Sequence, residues 1–146
     1  MSMKVIDATN CVLGRLSTFT AKELLKGETI AIVNAEKAFI SGSRDSIVGE
    51  YKRRRERGTQ RKGPFYPRVP DRILKRTVRG MLPYQKPNGR EAYKRLKVYI
   101  GVPEEFKDKS AEKIDKLVFK GTKGISLGEL SGYLGFRVLE ENEVKN

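Results

Sequence analysis

The sequence contains no histidine, no tryptophan and a single cysteine, Cys11. Without histidine there is no imidazole for general acid–base catalysis or for metal ligation. A lone cysteine can form neither an intrachain disulfide nor a cysteine-rich zinc site. These absences exclude the commonest catalytic and zinc-binding chemistries, and we expect no metal site.

Long apolar runs are also missing. No run approaches the ~18 residues of a membrane-spanning helix, and the opening MSMKVIDATN lacks the apolar core of a signal peptide. The hydrophobic content of 38% and the charged content of 34% still fit a globular domain with a polar extension. We expect a single soluble, cytoplasmic domain over residues 1–146 that has no membrane partner.

Basic charge is what the sequence has in excess. Lys and Arg number 31 against 18 Asp and Glu, a net charge of +13. Between Arg44 and Lys97 there are 18 basic and 5 acidic residues, whereas the rest of the chain has 13 of each. The whole excess therefore lies in residues 44–97, which we call the basic block. Such segregation predicts a binding surface for a polyanion on a neutral body, and nucleic acid, acidic membrane and acidic protein are all compatible with it.

The neutral body has the pattern of an α/β fold. Residues 4–7 (KVID) and 96–101 (LKVYIG) are typical of strands, and residues 29–35 (TIAIVNA) are apolar on both parities, as in a strand covered on both faces. A helical pattern lies between residues 4–7 and residues 29–35, and residues 38–41 (AFIS) are a candidate third short strand. Strand, helix and strand in this order predict a right-handed crossover and a parallel sheet.

End signals delimit two helices of this body. Thr9 or Asn10 is the expected N-cap of the first helix, and Gly27 stands at its expected C′ position. Residues 103–146 are predicted to form a C-terminal extension: a charged linker, then a capping box from Ser126 to Glu129. That box opens a short helix with leucines on one side, at Leu127, Leu130 and Leu134.

The basic block is predicted to begin with a helix near Ser43, with Asp45 in its first turn and a run of cations over residues 52–57. A Gly- and Pro-rich loop follows and carries Phe65 and Tyr66 among further cations. Such rings can stack on unpaired RNA bases, or they can fold the loop back onto the domain. The sequence leaves both roles open.

The second basic helix carries the sharpest signal. It is predicted to open at Pro70 and Asp71 and to stop before Pro83. At ~100° per residue, four cations fall within roughly a 100° arc. We call them the cation stripe: Arg72, Lys75, Arg76 and Arg79. The opposite side is predicted to pack on the domain through Ile73, Leu74, Val78, Met81 and Leu82.

A third helix, with Asn88 as N-cap and Glu91 three residues later, is predicted to extend this basic surface. The candidate RNA-binding residues are the cations of the basic helices and of the loop between them. They are Arg44, Lys52, Arg53, Arg54, Arg55, Arg57, Arg61, Lys62, Arg68, Arg72, Lys75, Arg76, Arg79, Lys86, Arg90 and Lys94.

Two other classes of function are compatible with a basic α/β protein. A nucleotide-dependent enzyme is disfavoured because the sequence has neither GxxxxGK[ST] nor GxGxxG after its first strand. Asp7 alone is placed like a catalytic carboxylate, and a cap for the following turn is its more ordinary role. A DNA-compacting protein is disfavoured because no dimer-forming apolar seam is evident. We therefore expect no enzymatic activity, no cofactor, no small-molecule substrate and no homo-oligomer.

Three segments of the sequence resemble a known family. DATNCVLGRLST, IVNAEKAFISG and above all ILKRTVRGMLPYQKPNGREAYKRLKVYIGVP resemble the large-subunit ribosomal protein thirteen family. The closing LGELSGYLGF is similar to its archaeal and eukaryotic members. This resemblance, over essentially the whole chain, implies an αβα sandwich around a four-stranded parallel sheet. It also implies a structural role in the large subunit, with large-subunit rRNA and neighbouring ribosomal proteins as partners and entry early in assembly. It places Arg72, Arg76, Arg79 and Lys86 in the rRNA-facing part.

Overall fold

The computed structural model describes residues 3–57, 66–107, 111–121 and 123–136. The strands within these ranges are β1 (Met3–Asp7), β2 (Thr29–Val33), β3 (Phe39–Ser41), β4 (Leu96–Val98) and β5 (Gly124–Ser126). The α-helices are α1 (Leu13–Leu25), α2 (Arg44–Glu56), α3 (Pro70–Gly80), α4 (Pro87–Lys94), α5 (Glu104–Lys107) and α6 (Leu127–Tyr133). None of these helices is long and apolar enough to cross a membrane.

The central sheet is parallel, with strand order β1-β2-β4. It confirms the α/β class, but the expectation of four strands in this sheet is wrong. The third strand, β3, pairs antiparallel with β5 in a separate two-stranded sheet. Asn34 directly after β2 is left-handed, with φ 59°, and begins a 3₁₀ turn over Ala35–Lys37. This turn redirects the chain, so β3 does not join the parallel sheet.

The two faces of the parallel sheet are buried differently. Ile6, Ile30 and Ile32 point into the main core, which α1 and α3 cover. On the opposite face Ala31 and Val33 pack with Phe106 of α5. The prediction that the second strand is covered on both faces is therefore confirmed. The αβα sandwich that the resemblance implies stays a prediction.

Helix α1 begins later than its candidate caps suggest. Its N-cap is Val12, so the expected N-cap roles of Thr9 and Asn10 are wrong. The Asp7 carboxylate instead accepts hydrogen bonds from the Thr9 backbone N–H (3.0 Å) and hydroxyl (2.6 Å). These bonds hold Thr9 in the turn that follows β1. At the other end Gly27, with φ 100°, follows the C-cap as predicted, where a left-handed residue favours glycine.

The segment after β4 contributes to the core. Phe106 and Leu117 are buried, although the sequence predicts a charged linker here. The predicted capping box is confirmed in its first half, because the Ser126 hydroxyl accepts a hydrogen bond from the Glu129 N–H at 3.2 Å. The leucines predicted on one side of this helix are buried: Leu127 and Leu130 of α6 and Leu134 at its C-cap. The division of the chain into a body, a basic block and an extension stays a prediction.

Candidate nucleic-acid interface

Helix α2 presents the first group of cations. Its N-cap is Ser43 and Asp45 lies in its first turn, as predicted. Ile47 and Tyr51 are buried and dock the helix on the domain. The cations of residues 52–57 follow on its second half and at its end; they are exposed except for the half-buried Arg54, and Glu50 and Glu56 are exposed beside them. The helix is therefore fixed on one side while its cations project from the other.

Helix α3 has two chemically opposite faces. Ile73, Leu74 and Val78 are completely buried in the main core. On the other side Arg72 is exposed and the rest of the cation stripe is half-buried. The prediction that Met81 lies on the packed face is wrong: the helix ends at Gly80, and Met81 is 42% exposed. The predicted division of faces is otherwise confirmed.

Helix α4 begins at Pro87, and its N-cap is Lys86 without a side-chain cap. The expected N-cap role of Asn88 is therefore wrong. A residue before proline is biased toward the extended conformation, and proline suits the first helical position. Lys86 is extended, with φ −96° and ψ 149°, which accounts for a helix start two residues earlier than predicted.

Tyr66 connects the first two basic helices. Its ring lies edge-on to Tyr51 of α2 at 5.7 Å between centroids. The guanidinium groups of Arg54 in α2 and Arg76 in α3 each lie 5.6 Å from its centroid. Arg55 donates a hydrogen bond to the Tyr66 carbonyl at 2.6 Å. Of the two roles that the sequence leaves open, Tyr66 has the second: it packs on the domain. Phe65 lies outside the described residues.

Two further tyrosines connect α3 to α4. Tyr84, in the turn between them, and Tyr93 of α4 stand edge to face, 5.5 Å apart with an interplanar angle of 84°. The Arg79 guanidinium lies 4.7 Å from the Tyr84 centroid, and Lys75 Nζ lies 5.0 Å from the Tyr93 centroid. Cations and aromatic rings attract each other at such distances. Half of the cation stripe is therefore positioned by this pair of rings.

The pKa shifts of Lys75 and Tyr93 reflect burial and the charges around the stripe. Burial lowers the pKa of Lys75, and the like charge of Lys97 on β4 lowers it further, while Asp71 acts in the opposite direction. Burial and the nearby phenol of Tyr84 raise the pKa of Tyr93, whereas Arg79 and Arg76 oppose that rise. Cations crowded in this way repel one another, and an external anion would relieve the repulsion.

Few of the candidate cations are neutralised by acidic side chains. Across the described ranges, two of them have a partner: Arg44 pairs with Glu129 at 3.0 Å, and Arg54 pairs with Glu50 at 2.8 Å. The remaining described candidates have no carboxylate within 4.0 Å in that part of the chain: Lys52, Arg53, Arg55, Arg57, Arg68, Arg72, Lys75, Arg76, Arg79, Lys86, Arg90 and Lys94. Arg61 and Lys62 lie outside the described residues.

The carboxylate considered for catalysis has a structural role. Besides Thr9, the Asp7 carboxylate accepts a hydrogen bond from the Asn34 side-chain amide at 3.1 Å. Burial alone would raise the pKa of Asp7, but the hydrogen bonds from Thr9 and Asn34 outweigh it and lower the pKa. The carboxylate thus stays charged and ties the ends of β1 and β2 together, which bears out the turn-capping role.

Sequence reasoning missed Tyr84 and Tyr93. Each stands among cations in the sequence, near Lys86 and next to Lys94 respectively, and that interleaving was a usable signal. Arg95 is expected from the sequence to extend the basic surface with Arg90 and Lys94, but it is half-buried instead. Its guanidinium donates a hydrogen bond to the Leu24 carbonyl at 2.6 Å and so joins α4 to α1.

The amino-acid sequence is similar to those of known proteins. The family model described as ribosomal protein L13 matches residues 2–105. The large ribosomal subunit protein uL13 of Methanosarcina barkeri is 54% identical over 137 residues, covering 91% of this chain and 98% of that protein. The protein of the same name from Archaeoglobus fulgidus is 52% identical, covering 91% of this chain and 88% of that protein. The chain therefore belongs to the ribosomal protein L13 family, whose members are structural components of the ribosome and not enzymes.

Proposed function

We propose that this protein is a structural constituent of the large ribosomal subunit and binds rRNA through the cations of α2, α3 and α4. The names of its relatives support the large subunit as its place. It also contacts neighbouring large-subunit proteins. It is located in the cytoplasm, and it joins the subunit early in assembly. It acts as a single copy.

The observation that carries this proposal is the two-sidedness of α3. One face is completely buried through Ile73, Leu74 and Val78, while the other displays the cation stripe without a carboxylate partner in the described ranges. A folded domain pays in self-repulsion for cations held side by side. The cations of the stripe recur from one turn of α3 to the next, and phosphates along an RNA backbone would lie beside them and offset that repulsion.

The mechanism is electrostatic and geometric. Each phosphate neutralised by Lys or Arg releases condensed counterions, which favours binding without reading sequence. The buried faces of α2 and α3 fix where the cations stand, so specificity comes from the shape of the folded RNA. If about six to ten phosphates are engaged, affinity falls by roughly 10³–10⁵ between 50 and 200 mM salt, as estimated from duplex DNA.

Sedimentation of the native protein in an extract of its own cells tests this proposal. We expect it to comigrate with large subunits and to be released at high salt. Competition between duplex DNA and folded large-subunit rRNA at matched salt is the control for binding that depends on charge alone. Migration at the top of the gradient at low salt, or equal affinity for duplex DNA and folded large-subunit rRNA, would contradict the proposal.

A further inference from the structure

A small cavity lies between α4 and the turn that precedes it. Its volume is about 240 Å³, and its walls are formed by Tyr84, Pro87, Arg90, Glu91, Tyr93 and Lys94. Clefts for drug-sized ligands are about 300–1,000 Å³. This cavity is smaller than such clefts, so the guest it suits is one flat ring system and not a larger ligand.

Two walls of the cavity are aromatic and held in place. Tyr84 and Tyr93 meet edge to face, so their ring planes are nearly perpendicular. One face of each ring is occupied by a cation of α3, Arg79 on Tyr84 and Lys75 on Tyr93. Gly89 packs directly on the backbone of Pro83 and Tyr84, which fixes the turn against α4. A guest ring would thus enter a slot that is already formed.

The rim of the cavity is cationic. Arg90 and Lys94 are one helical turn apart on α4 and exposed, and neither has a carboxylate within 4.0 Å in the described ranges. Glu91 is the one acidic residue among the six that form the walls. An aromatic slot between cations matches a nucleotide, whose base has a π-face and whose two flanking phosphates are anionic.

We propose that this cavity, the tyrosine pocket, takes one unstacked base of a single-stranded RNA segment. The base stacks on Tyr84 while Arg90 and Lys94 contact the phosphates on either side. The inference rests on the proposed function but adds to it, because the cation stripe engages phosphates alone. An acidic peptide is the other ligand with matching charge. Its chain, however, offers no flat ring to the two tyrosines, so the base is favoured.

The test compares two RNA probes on the full-length protein: a short single-stranded oligoadenylate, and an abasic ribose–phosphate strand of the same length. Both carry the same phosphates. We expect the protein to prefer oligoadenylate, and Tyr84→Leu to remove that preference, weakening oligoadenylate binding by roughly 5- to 150-fold, as for the loss of one stacked base. Tyr84→Phe retains the ring and should bind as the unmodified protein does. Tyr133→Leu, at a 49% exposed tyrosine on α6, is the matched control and should change nothing.

Three outcomes would overturn the proposal. The first is equal binding of both probes by the unmodified protein, which leaves phosphate binding intact but removes the base site. The second is oligoadenylate binding that is unchanged in Tyr84→Leu while binding of a polyglutamate peptide is lost, which would identify a peptide site. The third, no binding of either strand, would contradict the proposed RNA-binding function as well.

Discussion

A Cβ atom on Gly89 would overlap the carbonyl oxygen of Pro83, because α4 packs directly on the turn that follows α3. The same Cβ would lie 2.9 Å from the backbone nitrogen of Tyr84. Both neighbours are backbone atoms, which cannot rotate away as a side chain can. The close approach of Gly89 therefore sets the position of α4 relative to the cations of α3.

Gly89→Ala should destabilise the fold. We expect the free energy of unfolding to fall by about 1–3 kcal/mol, the usual range for overpacking at a tight contact. Denaturant unfolding followed by circular dichroism measures it. Gly49→Ala is the control: Gly49 is exposed in α2 and no heavy atom lies within 4 Å of its added Cβ. That change should stabilise the protein by about 0.4–1 kcal/mol. Equal effects of the two changes would contradict the packing described.

Neutralising the cation stripe should weaken the fold only slightly. The sequence alone predicts a thermal transition that is little altered when Arg72, Lys75, Arg76 and Arg79 are changed to Gln. In the structure Lys75, Arg76 and Arg79 each lie over a tyrosine ring, so each change forfeits a cation–π contact of roughly 0.5–1 kcal/mol.

Loss of mutual repulsion in this variant opposes that cost. Thermal unfolding of the fourfold variant should therefore remain cooperative, with a modest decrease in Tm. Arg72→Gln alone should leave Tm unchanged, because Arg72 is exposed and lies over no aromatic ring in the described part of the chain. Collapse of the folded state in the fourfold variant would mean that the inner and outer faces of α3 are inverted.

The contact of Arg54 with Tyr66 should be measurable by a double-mutant cycle. The Arg54 guanidinium lies 5.6 Å from the Tyr66 centroid and donates a hydrogen bond of 3.4 Å to its hydroxyl. We expect Arg54→Met and Tyr66→Leu to be coupled by about 0.5–1 kcal/mol in the free energy of unfolding. Pairing Arg53→Met with Tyr66→Leu gives the control, since Arg53 is exposed. If both cycles are additive, Tyr66 does not connect the helices as described.

Tyr51 should make stability sensitive to alkaline pH. Burial, with the neighbouring Tyr66, raises the pKa of Tyr51 from 10.0 to about 12, and Arg54 opposes the rise. Above pH 10 the unfolded chain loses this phenolic proton while the folded chain keeps it, so stability falls until the folded group also titrates near pH 12. The slope due to Tyr51 approaches 1.4 kcal/mol per pH unit, roughly, within that window.

Denaturant unfolding at a series of alkaline pH values measures this slope. Lys75, with its lowered pKa, acts in the opposite direction, so the informative quantity is the difference from Tyr51→Phe. That variant should lose less stability than the unmodified protein between pH 10 and 12. Parallel curves for the two proteins would show that the Tyr51 phenol is not shielded from solvent.

Local patterns of the sequence predict structural features that are set within a single helix or strand, or by the succession of neighbouring ones. The buried and cationic faces of α3 follow from its helical period, and the parallel pairing of β1 with β2 follows from strand, helix and strand in succession. The antiparallel partner of β3 could not be predicted, because three residues do not specify one of several possible partners. The start of α4 at Pro87 was predictable from proline chemistry, but the signal of Asn88 was preferred to it.

The candidate site likewise has features that the sequence predicts and features that it does not. Its exposed cations follow from composition and spacing. The roles of Tyr66, Tyr84 and Tyr93 depend on contacts between separate elements, such as Tyr66 with Arg54 of α2 and Tyr84 with Tyr93 of α4, which the period of a single helix does not show. The prediction for Met81 is wrong because a helical period cannot show that the helix ends at Gly80, two residues before the predicted end at Leu82.

The salt dependence of binding to a folded large-subunit rRNA fragment tests the central claim most directly. The logarithm of the association constant, plotted against the logarithm of salt concentration, has a slope that reports how many phosphates the protein neutralises. Two variants of equal charge are compared. One changes the cation stripe to Gln; the other changes four exposed cations outside the basic block to Gln: Arg15, Lys22, Lys37 and Lys120.

We expect the stripe variant to lose about three to four units of slope, close to 0.9 for each phosphate contact removed. The control variant should retain the slope of the unmodified protein, because its four cations are predicted to remain in solvent. If both variants lose the same amount, the protein binds RNA through its overall charge, and the account of a basic surface on a neutral body is wrong.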